Sequence, residues 1–235
     1  MHVHERGRDI APGWEERRMR HKEKLISNIL LATGGAFVLA GLILFGVNRY
    51  EGNKAYAMSM EKIEQVKDEA ARRAAESHVP EMNLNLDEVD PEATLDMVPE
   101  EPKKVLPVVE IDGYLYDGYL TIPAIELEMP VTDNCDEDNL KYFLCRYSGD
   151  PYEGGMIIAG HNYKKSFRKL RDLAVGDEIL FTTMDGEQFL YTVSEIEVID
   201  GKGIDEMIDP EWDLTLFTCT FGGQERYTVR CMSAD

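Results

Sequence analysis

Three side chains in this sequence are placed for chemistry: Cys219, His161 and Arg226. Cys219 ends the apolar, β-branched run "LTLFTC", and His161 ends "GGMIIAGH". Both fall at the C-terminal ends of buried-looking strands, where loops begin and side chains reach a surface cleft. Arg226 follows Cys219 by seven residues across the turn "TFGGQE", so a tight connection returns it beside the cysteine. A thiol with an ordinary pKa of about 8.5 is a modest nucleophile at neutral pH, and a neighbouring imidazolium and guanidinium favour its thiolate. The histidine can then protonate a leaving amine, while the arginine hydrogen-bonds a carbonyl oxygen gaining negative charge. Together these parts make thiol-based acyl transfer.

Each residue also has a plainer reading. A lone cysteine in an apolar strand is most often packing, and a lone arginine is most often a solvated charge. Arg230, four residues after Arg226 and on the same strand face, competes for the arginine role. His2, His4 and His21 lie in the N-terminal tail and His78 in a helical stretch, which leaves His161 as the only histidine of the C-terminal part. With one histidine and no Cys-x-x-Cys spacing, a zinc site is disfavoured, and no cofactor is expected.

The compartment follows from the N-terminal third. Residues 25–48 carry no charged side chain, and the centre "ILLATGGAFVLAGLILFGV" is apolar for 19 residues, roughly 28 Å of helix. Arg17, Arg18, Arg20, Lys22 and Lys24 precede it, which by the positive-inside bias puts residues 1–24 in the cytoplasm and the remainder outside. A signal peptide cut near "AYA", Ala55 to Ala57, is the rival reading, but the apolar run is too long and charged residues separate it from that site. The formal net charge of the whole chain is -20, and its excess acid, which lies downstream of the basic tail, argues against nucleic acid as a partner.

Residues 49–79 are rich in good helix formers and read as a helical stalk without a convincing heptad seam. Residues 80–107, with Pro80, Pro91, Pro99 and Pro102 among eight acids, read as a solvated linker; a lid over a basic groove is the lesser alternative. From residue 108 to 235 the pattern is strands: "YLTIPAI", "LEMPVT", "GGMIIAGH", "EILFTT", "EQFLYTVSEIEVI", "LTLFTC" and "RYTVRCM". "MDGE" carries the Asp-Gly signal of a hairpin, and "DEDNLKYFL" and "SFRKLRDL" read as short helices, the second capped by Ser166. This predicts a closed or nearly closed β-barrel of seven or eight strands. Cys135 and Cys145 fall ten apart on what reads as a short helical stretch, and the four cysteines are expected as reduced thiols.

These residues resemble the sortases, membrane-anchored cysteine transpeptidases of Gram-positive bacteria, over about Gly113 to Met232. "TLFTC" is similar to the family's Thr-Leu-x-Thr-Cys strand end, "AGHN" to its Gly-His strand end, and "ERYTVRC" to the strand that begins with its arginine. "DGYLTIPAIELEMPV" resembles the opening strands, and the stretch from Ser166 to Val193 resembles the family's segment after the histidine. The resemblance implies a mostly-β, eight-stranded closed barrel with one or two short helices, after a single transmembrane helix and a stalk. It makes Cys219 the nucleophile, His161 the general acid and base, and Arg226 the stabiliser of the carbonyl oxygen, with Thr218 and the Ala159 to Gly160 backbone lining the cleft.

The implied substrates are secreted surface proteins with an LPXTG-like sorting signal, and the acceptor is an amine of a peptidoglycan precursor or a pilin. "GHN" resembles class B sortases, whereas "FRKL" and "VGDEI" resemble housekeeping and pilin-assembling types. "DPEA", Asp90 to Ala93, lacks the aromatic residue of the pilin-sortase lid. Two other functions compete: a tethered binding module with a structural Cys219, and a hydrolytic cysteine peptidase on the same three groups.

Overall fold

The computed structural model describes residues 13–77 and 103–234, and divides the chain into two units, Met1–Glu51 and Gly52–Asp235. The linker expected at 80–107 falls outside the described residues up to 102, as does the tail up to 12. One helix, α1 (Gly13–Ser77), supplies the only described helix long and apolar enough to cross a membrane. Its apolar part is uncovered by protein, Leu31 being 77% and Phe37 76% exposed, which excludes a buried core helix.

Among the described residues, the second unit holds nine strands in one sheet: β1 (Val109–Ile111), β2 (Tyr114–Ile122), β3 (Leu127–Thr132), β4 (Leu144–Asp150), β5 (Gly154–Ala159), β6 (Glu178–Thr183), β7 (Gln188–Asp200), β8 (Leu214–Cys219) and β9 (Glu225–Ser233). Two short α-helices interrupt them, α2 (Glu137–Tyr142) and α3 (Ile204–Met207), with 3-10 turns at Pro123–Ile125 and Phe167–Asp172. The spatial order is β1-β2-β3-β4-β5-β8-β9-β7-β6, and β6 pairs again with β2. Eight strands, β2 to β9, thus form a closed ring of pairings, and β1 is a ninth that only extends β2.

The closing seam has a local requirement. Gly118 faces Thr183 across it, and a Cβ at Gly118 would stand 2.0 Å from the Thr182 carbonyl oxygen. Only glycine lets the two backbones approach that closely. Inside the ring the alternating strand residues meet: Leu120, Ile122, Ile158, Ile179, Phe181, Leu214, Leu216 and Val229 are each 0% exposed. Arg146 on β4 donates from Nε to the buried Asp117 carboxylate on β2 at 2.6 Å, supplying that carboxylate with a countercharge.

Three sequence expectations change here. The segment read as a stalk lies against the sheet from Gly52 onward: Ala55, Ser59, Ile63, Val66 and Ala70 are buried, and Val66 joins Val109, Tyr116, Phe143 and Met184 in a second apolar cluster. The positions 55, 59, 63, 66 and 70 share one helix face, but three of them are Ala or Ser and carry little hydrophobic signal. Lys67 pairs with Glu128 at 3.0 Å on the same side.

The second change is a correction to the cysteines. Cys135 and Cys145 are joined in a disulfide with Cα atoms 5.1 Å apart. They do not share a helix: Cys135 precedes α2, and Cys145 sits on β4, which pairs in parallel with β3 through Thr132↔Cys145. The single turn and a half of α2 returns the chain, bringing the two thiols together. The Ser166 cap is also absent, since its side chain makes no capping hydrogen bond.

Candidate active site

The three residues picked from the sequence lie at one end of the sheet. Strands β8 and β9 run antiparallel from Leu214↔Cys231 to Cys219↔Arg226, so Cys219 and Arg226 are direct cross-strand partners. Residues opposite one another in an antiparallel pair project to the same face. The turn between them is short because Thr220 donates to the Glu225 carbonyl at 2.9 Å and Gly223 to that of Thr220 at 3.0 Å. His161 arrives from the other side. Strand β5 lies parallel to β8 with Ala159↔Phe217, and the Gly160 N–H donates to the Phe217 carbonyl at 3.1 Å. His161 lies two residues beyond the end of β5, at the same end of the sheet as Cys219, which ends β8.

Cys219 is a free, half-buried thiol. The Arg226 Nη1 donates to the Gly223 and Glu225 carbonyls at 3.0 and 3.1 Å, holding the guanidinium over its own turn. Arg226 also lines a cleft of about 220 Å³ with Tyr147, Phe217, Met207 and the Asp200 to Gly201 backbone. The Tyr147 and Phe217 rings meet edge-on at 5.8 Å, which gives that cleft an apolar floor beside a cation.

His161 is half-buried, and burial lowers its pKa below the ordinary histidine value. The imidazole is therefore neutral at pH 7, with one nitrogen free to accept a proton. Its ring rests against Tyr163, centroids 4.8 Å apart. Gly160 is required just before it, because a Cβ there would stand 2.6 Å from the Phe167 ring.

Sequence reasoning missed the residues that tie the loops together. Arg168 donates to the Asn162 side-chain and main-chain oxygens at 3.1 and 2.9 Å and stacks over Phe221 at 5.5 Å, linking the histidine loop to the cysteine turn. Their signal was proximity alone: Asn162 and Tyr163 follow His161, and Phe221 follows Cys219 by two. Thr218 and Ala159 are 1% and 4% exposed, and the Thr218 Oγ1 is buried with no hydrogen-bond partner among the described residues. Arg230, the competing arginine, is 2% exposed and bonded to Glu197, Thr215 and the Met207 carbonyl.

The comparison with known families bears directly on this arrangement. The family model described as "Sortase domain" matches residues 120–234, from within β2 to the end of β9, and spans all three candidate residues. The match covers just under half of the chain, and over it residues 120–234 are similar to a sortase domain. Sortase D of Bacillus subtilis (strain 168) is 28% identical over 106 residues, 43% of this chain and 53% of that protein, so the chain spans about half the length of this curated relative. Among solved structures, sortase C1 of Streptococcus agalactiae is 27% identical with a TM-score of 0.48, covering 54% of this chain and 71% of its own. A sortase D5 transpeptidase of Clostridium perfringens is 28% identical with a TM-score of 0.46, covering 50% and 78% respectively. The sortase domain match leaves β1 and α1 outside it, although α1 contributes buried residues to the same unit.

Proposed function

We propose that this chain is a membrane-anchored cysteine transpeptidase in which Cys219, His161 and Arg226 carry the reaction. The observation that supports it most is the cross-strand pairing of Cys219 with Arg226 inside a segment similar to a sortase domain. The ring of strands β2 to β9 is read as the closed eight-stranded barrel, with the three residues at one rim. The Cys219 sulfur attacks the scissile carbonyl of a sorting signal, and neutral His161 takes the thiol proton. The oxygen gains negative charge and accepts a hydrogen bond from the Arg226 guanidinium once that side chain swings from its turn carbonyls. The C–N bond then breaks, His161 returns its proton to the leaving amine, and a thioester remains on Cys219. An incoming amine attacks this thioester, gives its proton to His161, and leaves with the acyl group as an amide while the thiol is restored.

The cleft beside Arg226 would take the N-terminal part of an LPXTG-like signal on a secreted protein, its apolar floor facing aliphatic and proline side chains. Thr218, Ala159 and Gly160 would contribute next to the reacting carbonyl. The acceptor amine belongs to a peptidoglycan precursor or a pilin. Residues 25–48 anchor the enzyme with its N-terminus in the cytoplasm and the sortase domain outside, a placement that suits the Cys135–Cys145 disulfide.

The test is mass spectrometry of the full chain in detergent, mixed with a library of five-residue sorting signals. An acyl adduct on Cys219, lost in Cys219→Ala and released by added triglycine as a peptide product, is the expected result. Turnover retained in Cys219→Ala would overturn the assignment, and release only by water would make the protein a peptidase.

A further inference from the structure

Arg230 is a buried cation, and its bonds reach beyond its own sheet neighbours. Its Nε donates to Glu197 Oε1 on β7 at 2.8 Å, and Nη1 donates to Thr215 Oγ1 on β8 at 3.1 Å. The same Nη1 donates to the Met207 carbonyl at 3.0 Å, and Nη2 donates to the Glu206 carbonyl. Those two carbonyls end the four-residue helix α3, in the connection from β7 to β8. The last carbonyls of a helix have no partner within it and must find donors elsewhere. One guanidinium, whose planar fork presents five N–H groups in fixed directions, thus binds the connection to three strands at once.

The segment held this way is a wall of the proposed substrate cleft. Met207 is 5% exposed, packs with Ile157, Ile199 and Phe217, and lines the cleft in which Arg226 sits. Because α3 is too short to hold its own shape, the place of Met207 depends on what grips its carbonyl.

We propose that Arg230 is a positioning residue that fixes the β7–β8 connection, so that Met207 forms the apolar wall of the acyl-donor cleft and sets affinity for the peptide. Arg230 takes no part in bond making. This rests on the transpeptidase reading above. A lysine cannot do the same work, since one ammonium cannot meet acceptors arriving from three segments in the plane of a fork.

The experiment compares wild type, Arg230→Lys, Met207→Ala and the double variant, each as the full chain. Hydrogen exchange of the 203–213 amides is read first, because it needs no substrate. Arg230→Lys is expected to speed exchange in that segment by roughly tenfold or more while β8 and β9 amides stay unchanged. With the library pentapeptide that acylates wild-type Cys219 fastest, KM is expected to rise about tenfold, the size of a lost apolar contact, with kcat within about twofold. Met207→Ala should reproduce the KM rise, and the double variant should be no worse than the worse single, because both act through one wall. Unchanged exchange, an unchanged KM in folded Arg230→Lys, a fall in kcat alone, or additive effects would each overturn the proposal. If Arg230→Lys does not fold, an unchanged KM in Met207→Ala overturns it alone. A wild type that no pentapeptide acylates would instead fail the transpeptidase reading, and exchange alone would then decide the anchoring.

Discussion

Cys219 and Arg226 stand directly opposite each other across β8 and β9, whereas Arg230, on the same face, stands opposite Thr215. Three residues of strand separate an arginine at the rim from one sealed in the fold. The two are expected to fail differently when removed. Arg226→Ala should lower kcat/KM by about 10²–10³, the usual loss for one oxyanion donor, with little change in melting. Arg230→Ala should be chiefly a stability defect, below the roughly 3–5 kcal/mol of a fully buried pair because Glu197 is 34% exposed. Peptide kinetics and urea melts on both variants check this, and a larger kcat loss in Arg230→Ala would reassign the arginine.

Thiol labelling should be selective. The Cys231 thiol is 0% exposed and burial pushes its pKa up to about 12, while Cys219 is half-buried and Cys135 and Cys145 are bonded to each other. A methanethiosulfonate reagent at pH 8 should therefore modify Cys219 alone, as read by peptide mapping. Modification of Cys231 in the folded protein would contradict the packing described.

The pH profile should carry the mark of His161. Its pKa is lowered by burial, so the folded state holds fewer protons than the unfolded state between that pKa and about 6.5. Stability from this group therefore rises with pH through that window and falls on acidification. The acid limb of kcat/KM should lie below about pH 6.5, because His161 must be neutral to take the thiol proton. An acid limb above pH 7 would contradict the neutral-base assignment.

Thr218→Val separates catalysis from packing. The Thr218 Oγ1 is buried without a partner among the described residues, so a methyl in its place should leave stability unchanged or raise it by about 1 kcal/mol. If the hydroxyl meets substrate, acylation should nonetheless slow by about tenfold or more. Equal acylation rates in the two proteins would remove Thr218 from the substrate site.

The disulfide should contribute to stability through the unfolded chain. Replacing both Cys135 and Cys145 by Ala is expected to cost about 2–3 kcal/mol, as for a loop of this length, and reductant should lower the melting temperature of wild type only. An identical melt for both proteins would contradict it.

Much of this was written locally along the chain. The strands Tyr114–Ile122, Leu127–Thr132, Gly154–Ala159, Glu178–Thr183, Gln188–Asp200, Leu214–Cys219 and Glu225–Ser233, the apolar helix, and the placement of Cys219 at a strand end and His161 just past one are legible in period-two patterning and composition, which report burial of one face. Strand β4, Leu144–Asp150, is not legible in this way, because its polar residues Arg146, Ser148 and Asp150 break the apolar run. Sequence alone determined which residue types could react. Tertiary structure decided what they stand next to. Arg226 and Arg230 share parity, so only the β8–β9 register separates them. Cys135 and Cys145 meet because β3 and β4 pair in parallel across α2, a contact no helical spacing contains. The face of Ala55, Ser59 and Ala70 is buried because the sheet beneath it is a close fit for small side chains, and small side chains leave almost no hydrophobic trace in a sequence.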